Sequence, residues 1–125
     1  MEFTALDPGE QQIIESYGDG RFRVSGAVHR SSVLVFADRT IAWAVTDMSG
    51  VSRESLSPVA RSEPSVEVLL LGCGARAMPV PKALREALRA DGVVIEAMAT
   101  GAACRTFNLL MAEERRAAAA LIAVD

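Results

Sequence analysis

The second half of the chain, after Pro64, alternates apolar runs with amphipathic stretches, and this pattern constrains the fold most. The run at 66–71 is apolar on both faces at its end, which predicts a strand inside a sheet. Right-handed crossovers would make it a parallel neighbour of the strand at 93–98. The predicted order is therefore β-α-β-α-β: strands at 66–71, 93–98 and 117–124, a helix between Pro81 and Gly92, and a helix at 101–113.

The first half carries short β signals separated by turn residues. Gly18-Asp19-Gly20 favours a tight turn because glycine and aspartate tolerate positive φ. An antiparallel meander is expected, followed by a short helix at 52–56 that Ser49 or Ser52 caps. The predicted strands lie at 11–17, 22–24, 32–36 and 40–45, and the polar stretch 26–32 between them is expected to be a loop. The fold class is α/β: a single three-layer domain over 1–125, with a mixed, partly parallel central sheet and an added antiparallel β layer.

Composition excludes several classes of protein. Half of the 125 residues are hydrophobic, which is incompatible with a mainly disordered chain, and a net charge of −3 disfavours nucleic-acid binding. The longest apolar run has eight residues, so membrane insertion is not expected. Residues 1–10 hold three acids and no base, unlike a secretory or transit signal. Together with only two cysteines, these features predict a cytoplasmic protein.

The predicted topology brings distant polar residues to one edge of the sheet. If the strands at 66–71 and 93–98 are parallel, the loop after the first and the helix after the second share the carboxyl edge, where open α/β sheets bind ligands. Six residues are expected to converge there: Gly72, Cys73, Gly74, Thr100, Cys104 and Arg105.

Gly72-Cys-Gly74-Ala-Arg-Ala77 fits a relaxed dinucleotide-binding pattern, G-x-G-x-x-A. In such a site a helix begins within the motif and its N–H groups meet the pyrophosphate, whereas here Met78-Pro79-Val80-Pro81 delays the helix. A glycine turn that lets the chain leave a buried strand is therefore favoured. No cofactor is expected.

The start of the last helix offers two readings. Free N–H groups at the helix N-terminus and the guanidinium of Arg105 suit a small anion. Alternatively the residues are structural: Thr100 caps the helix, Arg105 pairs with a carboxylate such as Glu96, and Asn108 binds backbone.

The cysteines also have two readings. Cys104 near a helix N-terminus has the setting of a nucleophile with a lowered pKa, and Cys73 is expected at the same edge. Free cysteines are more often small buried hydrophobes, which is favoured here. His29 is predicted in a loop, and one histidine with two distant cysteines gives no metal-ligand spacing, so no metal is expected.

A long C-terminal stretch, 94–122, carries a family pattern of roughly E-x-M-x-T-x-A-A-x-R-T-x-N-x-L followed by E-G-R-x-V-A-A-A-L. Together with Tyr17-Gly18, Trp43 and the run Leu69–Gly74, it resembles a bacterial and archaeal small-domain family related to mitochondrial complex I assembly factor 3. Glu114 stands where many members have glycine, and Cys73 where threonine is common, which argues against an obligatory thiol. The resemblance implies one three-layer domain, protein partners and no established reaction.

The leading hypothesis is a non-enzymatic protein-interaction module that assists assembly of a respiratory, complex I-type membrane complex. Its partners would be respiratory complex subunits or assembly factors, and homo-oligomerisation stays open. The alternative is a small-molecule or anion-binding protein, with catalysis left open, that uses a pocket at the carboxyl edge of the sheet. Either site would be built from Gly72, Cys73, Gly74, Glu96, Thr100, Cys104, Arg105, Thr106 and Asn108.

Overall fold

The computed structural model describes residues 11–125. Predictions about residues 1–10, including the expected lack of a targeting signal, fall outside this range. Eight strands and three α-helices are present in it: β1 Ile14–Gly18, β2 Arg21–Val24, β3 Ala27–His29, β4 Ser32–Val35, β5 Thr40–Trp43, α1 Ser57–Ala60, β6 Val68–Gly72, α2 Lys82–Ala90, β7 Val94–Met98, α3 Thr100–Ala112 and β8 Ala117–Leu121.

A five-stranded mixed sheet with the order β5-β4-β8-β6-β7 forms the centre of the molecule. β6 lies parallel to both β7 and β8, with Val68 opposite Val94 on one side and opposite Ala117 on the other. β4 pairs antiparallel with β8 and with β5. The predicted β-α-β-α-β half and its parallel strands are confirmed, and the buried run of Val and Leu in β6 marks a strand enclosed on both faces.

Two hydrophobic cores lie on opposite faces of this sheet, and β8 separates them. Its alternate residues point to opposite faces, so Ala118 and Ala120 belong to one core and Ala117 and Ala119 to the other. On the first face α2 inserts Leu84 and Leu88, beside the segment that follows β5. On the second face α3 packs across β6 and β8 through Ala103, Cys104, Phe107 and Met111.

A second, three-stranded antiparallel sheet with the order β1-β2-β3 completes the α3 face. Phe22 and Val24 alternate inward along β2 and are almost fully buried against the α3 core. This sheet is the predicted added β layer. The expected N-terminal meander is thus divided between two sheets, because β4 pairs with β8 and not with β3.

Two local predictions in the first half are wrong. The stretch 26–32 is not only a loop: it contains β3, and His29 lies at the end of that strand opposite Phe22. The expected helix at 52–56 is a turn in which the hydroxyls of Ser52 and Ser55 accept from each other's N–H groups. The short helix α1 starts at Ser57 instead, with a proline in its first turn.

The end of α3 shows how the chain manages without glycine. The N–H of Glu114 bonds Met111 O and the N–H of Arg115 bonds Leu110 O, which is a Schellman motif. Glu114 occupies its left-handed position with φ of 60°. A side chain with a Cβ is strained in that conformation.

We expect Glu114→Gly to raise the free energy of unfolding by about 0.5–1 kcal/mol, because glycine adopts positive φ without strain. The same change at Glu113, whose φ is −92°, should lower it, since glycine there only adds freedom to the unfolded chain. Urea unfolding of both variants measures the difference. Equal effects of the two substitutions would contradict the strain assigned to Glu114.

Candidate functional site

Hydrogen bonds tie the loop after β6 to the start of α3 and to the end of β8. Cys73 N–H donates to Met98 O over 2.8 Å, and Thr100 N–H donates to Gly74 O over 2.9 Å. Ile122 N–H donates to Gly72 O over 3.0 Å. The structure thus brings Gly72, Cys73, Gly74 and Thr100 together at the carboxyl edge.

Thr100 is the centre of this junction, and it is not the helix cap that its position predicts. The residue before the helix is Ala99, and Thr100 is the first helical residue. Its fully buried hydroxyl accepts from Gly74 N–H at 3.0 Å and donates to Ile122 O at 2.7 Å. A Cβ on Gly72 would lie 3.0 Å from Thr100 Cα, so glycine permits the close approach of strand and helix.

The glycine loop does not have the geometry of a dinucleotide site. α2 begins at Lys82, ten residues beyond Gly72, so no helix N-terminus faces the loop from within the motif. The favoured reading, a glycine turn leaving a buried strand, agrees with Gly74 at φ 108°. The backbone N–H and C=O groups of the loop form hydrogen bonds within the junction around Thr100.

Two hollows open on opposite faces at this edge, on either side of residues 122–125. The first, of about 440 Å³, lies between β1 and α3 and is named the α3 hollow here. It is lined by Ile14, Glu15, Ser16, Tyr17, Gly18, Cys104, Arg105, Asn108 and Asp125. The second, of about 420 Å³, is lined by Thr46, Asp47, Cys73, Gly74, Ala75 and residues 122–125.

Arg105 lines the α3 hollow and is exposed, but its expected pairing with Glu96 does not form. Among residues 11–125 neither side chain makes an ion pair. At about 100° per residue, Arg105 lies on the flank of α3 facing β1. Thr106 lies about 100° further round, toward the β7 side that carries Glu96, so these two residues are outside the hollow.

Asn108 binds backbone, as one of the two readings of the sequence holds. Its Oδ1 accepts from Ile14 N–H at 2.9 Å and its Nδ2 donates to Ile14 O at 2.8 Å. One side-chain amide therefore joins β1 to α3.

Tyr17, 44% exposed, lies over Gly101, where any Cβ would overlap its ring. Sequence reasoning placed no site residue on β1, because nothing local shows which helix flank a distant strand will meet.

The two cysteines do not meet, since Cys73 belongs to the α2 core and Cys104 to the α3 core on the other face. Both are free and buried. Burial raises the pKa of the Cys104 thiol to about 12, and this outweighs the opposing effect of the nearby Arg105 charge. The burial of Cys104 therefore argues against the nucleophile reading, because a thiolate is costly to bury.

We expect Cys104 in a Cys73→Ser chain to react with iodoacetamide on the order of a thousandfold more slowly than in urea, because at pH 8 only about 10⁻⁴ of the folded thiol is ionised, against about a tenth of the unfolded one. The raised pKa also means that proton release above pH 9 favours the unfolded chain. Stability should therefore fall as pH rises from 9.0 toward about 12. Rapid alkylation of the folded chain at pH 8 would contradict this.

Within residues 11–125 no group of three His, Cys, Asp or Glu side chains is placed to hold a metal ion. In the same part of the chain, no helix has the length and apolar character needed to cross a membrane.

A family model described as a protein of unknown function, DUF498/DUF598, matches residues 14–122. The chain belongs to the DUF498 family. The match includes both sheets and α3, and with them almost all of the α3 hollow. The resemblance carried by residues 94–122 is confirmed.

Two kinds of curated protein are similar to this DUF498 chain. An uncharacterised protein of Rhodobacter capsulatus is 38% identical over 109 residues, which are 87% of this chain and 82% of the relative. NADH dehydrogenase [ubiquinone] 1 alpha subcomplex assembly factor 3 of Danio rerio is 39% identical over 110 residues, 88% of this chain. The human assembly factor 3 is 28% identical over 116 residues, 93% of this chain. The chain spans 63% of the length of both assembly factors.

Solved structures share the fold. A Bartonella henselae protein described as an outer membrane protein superposes with a TM-score of 0.85 at 35% identity, covering 94% of this chain and 98% of its own. A Rhodopseudomonas palustris protein gives 0.78 at 42%, covering 89% and 82%. An Mth938-like domain of Bordetella pertussis gives 0.79 at 26%, covering 98% and 91%. The DUF498 chain therefore has the Mth938-like fold.

Proposed function

We propose that this chain is a protein-interaction module that assists assembly of a respiratory, complex I-type membrane complex, and that the α3 hollow is part of its docking surface. One observation carries the proposal. Proteins named complex I assembly factor 3 match 87–93% of this chain, so the domain described here is the part that it has in common with them.

The chemistry of the α3 hollow supports recognition. Besides main-chain atoms, its groups include the Arg105 guanidinium, the Tyr17 phenol and the carboxylates of Glu15 and Asp125, while its thiol is held neutral by burial. Arg105 is exposed there, and arginine is enriched at interfaces because its planar fork pairs with carboxylates and carbonyls at once. Gly72, Gly74, Thr100 and Asn108 would then hold α3 and β1 in place without touching the partner.

The test is a native pull-down of the tagged full chain from its own cells, with mass spectrometry of what co-elutes. Complex I subunits or assembly intermediates should be enriched, and Arg105→Glu should remove them. Arg89→Glu, an equal charge reversal at an exposed position of α2, should leave the capture unchanged. Both variants should keep the wild-type melting curve, since exposed substitutions change stability by about 0.5 kcal/mol or less.

Capture of no respiratory subunit would overturn the assembly role. Equal loss in both charge-reversal variants would remove the α3 hollow from the docking surface. The same experiment tests the predicted cytoplasmic location, because the lysate can be fractionated and the fraction that contains the chain identified.

The second candidate is a small anion bound in the α3 hollow through Arg105. The volume of the hollow lies within the ~300–1,000 Å³ of binding clefts, which favours it. The carboxylates of Glu15 and Asp125 in the lining oppose it. Titration with inorganic phosphate decides: if it binds, Arg105→Ala should weaken binding by about 1.5–3 kcal/mol, and unchanged affinity would exclude this role for Arg105.

A further inference from the structure

The two tight turns of the three-stranded sheet fix which backbone groups of β1 face the α3 hollow. Asp19 and Gly20 have φ of 53° and 72°, and Ser25 and Gly26 have 48° and 86°, as in two-residue turns of type I′. Such a turn is closed by a hydrogen-bonded pair, which here is Gly18 with Arg21. Pairs along an antiparallel ladder alternate, so the next pair, Tyr17 with Phe22, is not hydrogen-bonded.

The N–H and C=O of Tyr17 therefore point away from β2, toward α3. The other end of β1 agrees with this parity. Ile13 O faces β2, where it accepts from Ser25 N–H at 2.8 Å, and Ile14 faces α3, where Asn108 binds it. Ile14 and Tyr17 both face outward although they are three residues apart, because the ladder is irregular between Ile14 and Ser16.

The main-chain groups of the two outward-facing residues of β1, Ile14 and Tyr17, differ in their hydrogen bonding. Asn108 gives Ile14 the donor and the acceptor that a neighbouring strand would give. Within residues 11–125 no hydrogen bond joins the Tyr17 N–H or C=O to any group outside the ladder. Among the residues that the structure describes, the edge of β1 is therefore closed at Ile14 and open at Tyr17.

Arg105 stands beside this open position. Gly101 lies under the Tyr17 ring and Asn108 lies at Ile14, so Arg105, between them on the same flank of α3, is placed along β1. Glu15 is held by Arg23 at 3.3 Å and by Gly26 N–H at 2.8 Å, which offsets its charge. Asp125 is the remaining acid of the lining.

We propose that the α3 hollow receives an extended segment of the partner protein, which pairs its main chain with the N–H and C=O of Tyr17 and places an acidic side chain against Arg105. The inference rests on the proposed docking function and names the chemistry that the partner must present. Pairing with an open strand edge supplies affinity from the main chain, and the side chain beside it supplies specificity.

The test is to select peptides that bind the full chain from a displayed library of linear seven-residue peptides. Selected peptides should be enriched in Asp or Glu and should shift the ¹⁵N–¹H resonance of Tyr17. Replacing the acid by its amide should weaken binding about tenfold, and in Arg105→Gln the preference for the acid should vanish. Selection without acidic enrichment, or without a shift at Tyr17, would overturn the proposal.

Tyr17→Pro tests the main-chain part, with Tyr17→Ala as the matched control. Both remove the phenol, but only proline removes the N–H, and a strand tolerates proline where that N–H faces outward. The proline variant should fold and bind selected peptides about tenfold more weakly than the alanine variant. Equal binding, or loss of folding in the proline variant alone, would overturn the assigned geometry.

The pull-down separates this inference from the proposed function. Peptide binding at Tyr17 and Arg105 without capture of respiratory subunits would support peptide recognition in the α3 hollow and overturn the assembly role. Capture that survives both Tyr17→Pro and Arg105→Gln would support the assembly role and overturn peptide recognition in the α3 hollow.

Discussion

Replacing Thr100 by valine should lower the free energy of unfolding by about 2–4 kcal/mol, because it leaves Gly74 N–H and Ile122 O without partners. Valine has nearly the same shape, so the loss reports the hydrogen bonds and not a cavity. The midpoint of thermal unfolding should fall on the order of 10 °C. Calorimetry of the variant measures it.

The control is Thr106→Val, the same change six residues along α3. The Thr106 hydroxyl makes no hydrogen bond within the described residues, so its loss should stay within about 0.5 kcal/mol. A Thr100→Val midpoint indistinguishable from that of Thr106→Val would mean that the junction at the carboxyl edge is held by packing alone.

Phe22→Ala should destabilise the chain by about 3–5 kcal/mol, because a fully buried aromatic ring is removed from the core beneath α3. Phe22 is the largest side chain that the three-stranded sheet places in that core. Its loss should therefore weaken the attachment of β1–β3 first. Urea unfolding gives the magnitude, and amide hydrogen exchange shows which strands lose protection.

Val28→Ala is the control on the opposite face of the same sheet, where the side chain is 47% exposed. Its effect should stay within about 0.5 kcal/mol. If Phe22→Ala accelerated exchange equally in β6 and β8, the small sheet and the central sheet would be one cooperative unit, contrary to this prediction.

The C-terminal half was predictable because its signals are local and strong. Runs of large apolar residues mark β6 and β7, Pro81 and Gly92 bracket α2, and the crossover rule then fixes the parallel pairing. Each boundary lies within three residues of its predicted place, since the ends of elements depend on a few backbone hydrogen bonds.

The failures have two physical causes: a local turn that leaves no apolar pattern, and a deciding partner that is distant in sequence. β3 has two exposed residues among three, so no apolar alternation marks it, and a turn at Ser25 and Gly26 makes the strand. Threonine is a residue type that favours the helix N-cap, but the Thr100 hydroxyl instead donates to the carbonyl of the distant Ile122. The α3 hollow needs β1 beside α3, a contact that spans 94 residues at Asn108.

The cysteines supply two native reporters of local opening, one in each core. Cys73 lies on the α2 side of the central sheet and Cys104 on the α3 side. Single-cysteine chains, alkylated over time under native conditions, would each record the free energy of exposing one side. A lower free energy of exposure at Cys104 than at Cys73 would mean that α3 and the three-stranded sheet fluctuate as a separate unit. A partner would then dock on that side while the α2 side stays folded.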